Sequence, residues 1–143
     1  MTAVDEVSAV DEWIISTLSD DAALTALVPA ARIVEHPADQ GTAHPLITVQ
    51  LYAAVDVGTA NGARVLIDGR WLVRGIFTDD TPLTDARAVV RRVDALLHGQ
   101  DVTAAGVTLA CRRVEPFKQL EVEDGVRYTH RGGVYRVQAH EAP

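Results

Sequence analysis

The side chains best equipped for chemistry in this 143-residue chain are three serines, one cysteine and five histidines. Nucleophilic catalysis needs an activated Ser, Cys or Thr beside a base. Ser8, Ser16 and Ser19 fall in or at the ends of helical stretches, and no Gly-x-Ser-x-Gly elbow occurs. Cys111 lies mid-strand, where a small buried hydrophobe is the usual meaning. With no second cysteine, neither an internal disulfide nor a cysteine-based zinc cage can form. His36, His44, His98, His130 and His140 lack the short helical spacing that preorganises a metal site. His98 follows a helix and reads as a cation at its negative end, while His36 and His44 adjoin prolines in a loop. Asp79-Asp80 could do acid–base work, yet its place just ahead of a helix start is reason enough for two acids. Glu121, Glu123 and Asp124 read as solvated turn charges. Gly58 to Gly62 has no Gly-Lys-Ser/Thr after it, so it is not a phosphate-gripping loop. No catalytic residue, cofactor or metal site is expected, and the chain reads as a non-enzyme.

Arg112, Arg113, Arg127, Arg131 and Arg136 gather near the C-terminus beside Tyr128 and Tyr135, the ingredients of a nucleic-acid platform. The totals weigh against that use. The formal net charge is −7 and Lys118 is the only lysine, so little is gained by neutralising phosphates. The charge is also lopsided: residues 1–60 hold nine acids against Arg32 alone, and the remainder is close to neutral. Such a chain offers two unlike surfaces, which could meet between copies arranged head to tail. Hydrophobic residues make up 48% and charged residues 23%, an ordinary globular composition for one domain spanning residues 1–143. No run could span a bilayer and no signal sequence follows Met1, so a soluble protein made in a reducing cytoplasm is expected.

These residues are positioned by the following elements. Val4 to Leu18 predicts an amphipathic helix on Val7, Val10, Ile14 and Leu18. Asp11 intrudes on its apolar stripe and Trp13 falls off it, either covering a loop or anchoring an interface. Ser19 predicts the cap of a short helix, Asp20 to Leu27. Ile33-Val34 begins a strand, Glu35 to Pro45 is a loop, and Leu46 to Tyr52 alternates as a strand. Asn61-Gly62 and Asp68-Gly69 are turn signals inside an extended arm, Ala53 to Arg70, with some strand in it. Trp71 to Thr78 predicts a strand. Pro82 to His98 predicts the main helix, capped by Thr81, ended by Gly99 and buried on Leu83, Ala86, Val90, Val93 and Leu97, with Val89 and Leu96 widening the stripe. Strands over Val107 to Val114 and Phe117 to Val122 follow. The Asp124-Gly125 turn then leads to a strand that Gly132-Gly133 interrupts, where a bulge or a close backbone approach is expected. The fold class is α+β: a single, mostly antiparallel sheet with a long helix and the N-terminal helices packed on it.

Three stretches carry a family resemblance. They are Leu18 to Val34; His44-Pro45-Leu46-Ile47-Thr48-Val49-Gln50; and Arg112 to Phe117 with Val122 to Gly125 and Tyr128-Thr129-His130-Arg131-Gly132-Gly133-Val134-Tyr135-Arg136. Together they resemble the tail terminator proteins of long-tailed bacteriophages with non-contractile tails. That resemblance implies a virion protein of the head–tail junction, made in a host bacterial cytoplasm. It implies a homohexameric ring that caps the tail tube, stops its polymerisation and meets a head-closure protein. Partners would be the chain itself, the major tail tube protein and the head-closure or connector protein. Genomic DNA would pass through the lumen without specific binding, and no membrane is involved. An acidic lumen wall, with acids outnumbering arginines, would keep that passage slippery. Candidate interface residues are Trp13, Val57, Asn61, Arg64 and Arg112, and in the C-terminal strands Arg113, Tyr128, His130, Arg131 and Tyr135. The arm from Ala53 to Arg70 is the candidate for reaching the tube or a neighbouring copy, to be tested by deleting Val57 to Ala63. Other readings are a head-side closure or adaptor protein, and a small-molecule-binding or enzymatic α+β domain.

Overall fold

The computed structural model describes residues 5–59, 61, 62 and 64–143, Arg64 by its backbone alone. Asp5 opens the first helix, α1 (Glu6–Ser19): its carboxylate accepts the Ser8 amide at 3.2 Å and the Ser8 hydroxyl at 2.6 Å. One of the amides a helix start leaves unpaired is thereby satisfied. Val4, the expected first residue, lies outside the described residues. The next helix, α2 (Ala22–Thr25), is capped by Asp21, which accepts the Leu24 amide at 2.9 Å, so the expected Ser19 cap is corrected. Ser19 is instead the last residue of α1.

A short 3-10 turn, Ala30–Arg32, leads into β1 (Ile33–Glu35). The strands that follow are β2 (Leu46–Gly58) and β3 (Arg64–Phe77). Helix α3 (Leu83–Leu97) comes next. Its cap is Pro82, whose carbonyl accepts the Asp85 and Ala86 amides, and not the Thr81 side chain. Its buried stripe is Ala86, Val89, Val93 and Leu97, while, contrary to expectation, Leu83 is exposed and Val90 only half-buried. The chain ends in β4 (Gln100–Ala104), β5 (Val107–Glu123) and β6 (Val126–Glu141).

The six strands form one sheet in the order β1-β2-β3-β6-β5-β4. It is a mixed sheet, which corrects the expectation of a mostly antiparallel one: β1 runs parallel to β2, while β2–β3, β3–β6, β6–β5 and β5–β4 pair antiparallel. The arm expected between strands is the far half of the β2–β3 hairpin. The two strands expected after α3 are a single β5, kinked by a bulge between Arg113 and Glu115. The polar connection before it holds β4, whose turn places Ala105 and Gly106 at positive φ.

Two glycine signals mean something other than a break. Asp68-Gly69 is not a turn but mid-strand: a Cβ at Gly69 would run into the Trp71 ring. Gly132-Gly133 does not interrupt β6, yet a Cβ at Gly132 would land on the Val73 carbonyl oxygen of β3. The close backbone approach expected there is the β3–β6 contact itself.

All three helices lie on one face of the sheet. Val10, Ile14, Leu18 and Leu24 pack with Val89, Val93 and Leu97 on Ile47, Val49, Trp71, Val73, Tyr135 and Val137. Each larger side chain so buried contributes roughly 1.5–3 kcal/mol. Trp13 belongs to this core at 7% exposure, because α1 turns it toward the sheet. Asp11 is buried as well, and its carboxylate accepts the Trp71 indole N–H at 2.7 Å. Burial raises the Asp11 pKa above its ordinary value, and the Trp71 bond opposes that rise. Trp71→Phe strands this carboxylate without its donor and is expected to lower the unfolding free energy by roughly 2–4 kcal/mol. Denaturant titration measures the loss; a change below about 0.5 kcal/mol, typical of an exposed surface site, would contradict the assignment.

Candidate functional site

At about 3.3 Å per residue, the 17 residues of β5 reach ~56 Å. The 15-residue α3, at 1.5 Å per residue, reaches only ~22 Å. Helices of this length cannot cover such strands, and the sheet overhangs them at both ends. The β3–β6 register fixes the directions: Ile67 faces Ala139 near the end of β6, and Phe77 faces Thr129 near its start. The β2–β3 hairpin and the β5–β6 hairpin therefore project from opposite ends.

The first overhang is exposed from Leu51 to Gly58, with Tyr52 at 61%, Val55 at 62% and Val65 beside them. A bulge between Leu51 and Ala53 changes which residues face which side, so Ala53 and Val55 border a cleft with Asp68 and Arg136. Arg136 grips Asp68 at 2.9 and 2.6 Å, and that bond first of all holds the Asp68 carboxyl below its usual range. The second overhang carries Val114, Leu120, Val122 and Val126, with Val122 65% exposed. Asp124 and Gly125, both at positive φ, form its tip, as the turn signal predicts. Each hairpin also has an open outer edge. The β1 strand covers β2 only from Ile47 to Val49, and β4 covers β5 only as far as Cys111. Beyond those points the outer backbone groups have no neighbouring strand among the described residues.

On the face away from the helices, the 36–45 connection from β1 to β2 borders a cleft of ≈ 340 Å³ over Thr48, Arg74 and His130. Arg74 lies over the Phe117 ring at 5.8 Å, and His44 sits 5.1 Å from the Tyr128 ring. His130 is buried at 6% exposure with Nε2 3.0 Å from Glu121. Burial, then the Arg74 charge, holds the His130 pKa below its ordinary value; burial, then Arg32, does the same for His44.

The expected interface residues are scattered over these surfaces. Val57 and Asn61 are exposed on the first hairpin, and the Arg64 side chain lies outside the described residues. Arg112 is exposed on β5, and Arg113 approaches Asp94 at 3.7 Å. Tyr128 and Arg131 are half-buried on β6. Trp13, His130 and Tyr135 are interior; the Tyr135 hydroxyl donates to Asp94 at 3.0 Å. His98, expected as a helix-end cation, instead ties the end of α3 to β5: its Nδ1 accepts the Arg113 amide at 2.9 Å. Burial pushes the Cys111 thiol up to about 12, far from a reactive thiolate. Among the described residues no three His, Cys, Asp or Glu side chains are grouped to hold a metal ion. No described helix is long and apolar enough to cross a membrane.

Residues 12–139 match a family model described as Tail completion protein gp17. No curated protein matches the chain. Among solved structures it is similar to a chain described under "Virion of native gene transfer agent (GTA) particle", at 18% identity and a TM-score of 0.76, covering 98% of this chain and 100% of that one. Another, at 17% identity and a TM-score of 0.64, covers 96% of this chain and 95% of its own. At these identities both likenesses concern the fold.

The depressed histidines set a pH dependence. Between their folded and unfolded pKa values the unfolded chain binds more protons, so stability is lost as pH falls below about 6.5. A second limb follows below about pH 4, from Asp68 and from Asp21, which Arg92 holds at about 2. Replacing His44 and His130 by Gln is expected to flatten the first limb and spare the second, read by denaturant titration across pH. An unchanged slope between about pH 6.5 and 5, the window just below an ordinary histidine pKa, would contradict this.

Proposed function

The chain belongs to the tail completion protein gp17 family, and from that premise we propose that it forms a hexameric ring capping the finished tail tube. The ring stops tube polymerisation, joins the tail to the head-completion proteins and lets DNA pass through its lumen. The observation that carries this reading is the pair of opposed overhangs. A protein that joins copies head to tail needs two unlike surfaces, and a heterologous contact closes into a ring when its rotation closes. The β2–β3 and β5–β6 hairpins are two such surfaces, at opposite ends of one sheet. Both expose aliphatic side chains that a lone monomer has no use for. Their open outer edges can accept a strand from a neighbour. The chain's net charge of −7 favours an acidic lumen wall, on which DNA phosphates find no lasting hold.

Tails assembled without the protein are expected to carry tubes of uncontrolled length, and the purified chain to cap them, as read by electron microscopy. Val55→Glu with Val57→Glu alters only exposed residues of the first hairpin, so it should leave a folded chain that fails to cap. Tubes of normal length without the protein would refute the reading. Co-purification with portal or adaptor proteins in place of the tube would favour a head-side closure role.

A further inference from the structure

Where the β5–β6 hairpin leaves the helices, Arg87 and Arg91 of α3 and Arg131 of β6 line one small cleft around Val90. Lys118 stands directly across from Arg131 in the β5–β6 ladder. Like charges at i and i+4 of a helix, or directly opposite on neighbouring strands, repel. The fold relieves its other helix-side arginines: Arg92 pairs with Asp21 at 2.5 Å, Arg127 with Asp79 at 3.2 Å and Arg113 approaches Asp94. Arg87, Arg91 and Arg131 have no carboxylate within 4.0 Å among the described residues, and the buried Arg131 Nε has no hydrogen-bond partner. Four cations with an apolar floor form a seat for carboxylates, and the guanidinium fork fits them in pairs.

The same chain holds acids in the opposite predicament. Asp20 caps the C-terminal end of α1, where the helix dipole is negative, and the last turn carries no base. Glu12 stands exposed two turns earlier, and neither side chain forms an ion pair among the described residues. We propose that the Arg87–Arg91–Lys118–Arg131 cluster seats the Glu12–Asp20 side of α1 from a second copy. The contact deepens the ring reading and rests on it. Local charge complementarity selects this occupant: the cation cluster of one copy faces the acidic, base-free end of α1 of the next.

The test is a reciprocal charge swap in the full chain. One variant carries Arg87→Glu and Arg91→Glu, the other Glu12→Arg and Asp20→Arg; all four sites are exposed, and matching circular dichroism and melting temperature confirm folding. Each variant alone is expected to self-associate about tenfold or more weakly than the original chain, by sedimentation in solution and by ring formation on purified tail tubes. Mixed together, the two should recover association as alternating copies, because each acidic surface again meets a basic one. High salt should weaken the original contact in the same assays. Variants that associate like the original chain, or folded variants whose mixture stays apart, overturn the proposal. So does a loss confined to duplex DNA or tube-protein binding with copy–copy association intact. If the original chain still caps tubes while the swap fails, only this contact falls; if it never caps tubes, the ring reading falls.

Discussion

A strand advances more than twice as far per residue as a helix. That disparity governs this molecule. With strands of 13 to 17 residues and helices of 14 and 15, the apolar face of the sheet outruns the layer that could bury it. A sheet can leave one face in water when that face is polar. Here the overhangs keep valines, two leucines and a tyrosine exposed on the stretches of strand beyond the helix layer. Leaving them exposed forfeits stability in the isolated chain, and covering them is what an assembling protein has to gain.

The middle of the sheet is packed closely at two glycines. Gly132 lets β6 approach the β3 backbone where any side chain would collide, and Gly69 makes room for the Trp71 ring two residues on. Trp71 in turn donates to Asp11 and ties α1 to the central strand through a bond shielded from water. The Tyr135–Asp94 bond does the same for α3 and β6. Two aromatic side chains anchored through aspartates thus fasten both main helices to adjacent strands, leaving the hairpin ends free to meet other surfaces.

Local signals in the sequence were legible where the chain's own neighbours decide the outcome. The Asp124-Gly125 turn, the Gly99 end of α3 and the backbone approach at Gly132 follow from which residues tolerate positive φ or a missing side chain. Asp11 stood out as a misfit, and only its partner 60 residues away explains it. Trp13 falls off the stripe that the aliphatic residues of α1 define, yet α1 presses it against the sheet. Asp68-Gly69 carried a genuine turn signal that tertiary packing overrode, with Asp68 gripped by Arg136 and Gly69 crowded by Trp71. The overhangs were least legible. Leu120 and Val122 alternate with polar neighbours as a half-buried strand does, and periodicity is silent on whether a helix lies above them.

In the proposed ring, both hairpins meet neighbours along open strand edges, the outer side of β2 after Val49 and of β5 after Cys111. Amide hydrogen exchange on the free chain and on intact tails reads those edges residue by residue. The account predicts fast exchange of the outward-facing amides of residues 51–58 and 114–123 in the free chain and strong protection of them in the tail, with the core around Trp71 slow throughout. Edges that exchange equally fast in the tail would mean that neighbouring copies do not join there, and the account would be wrong.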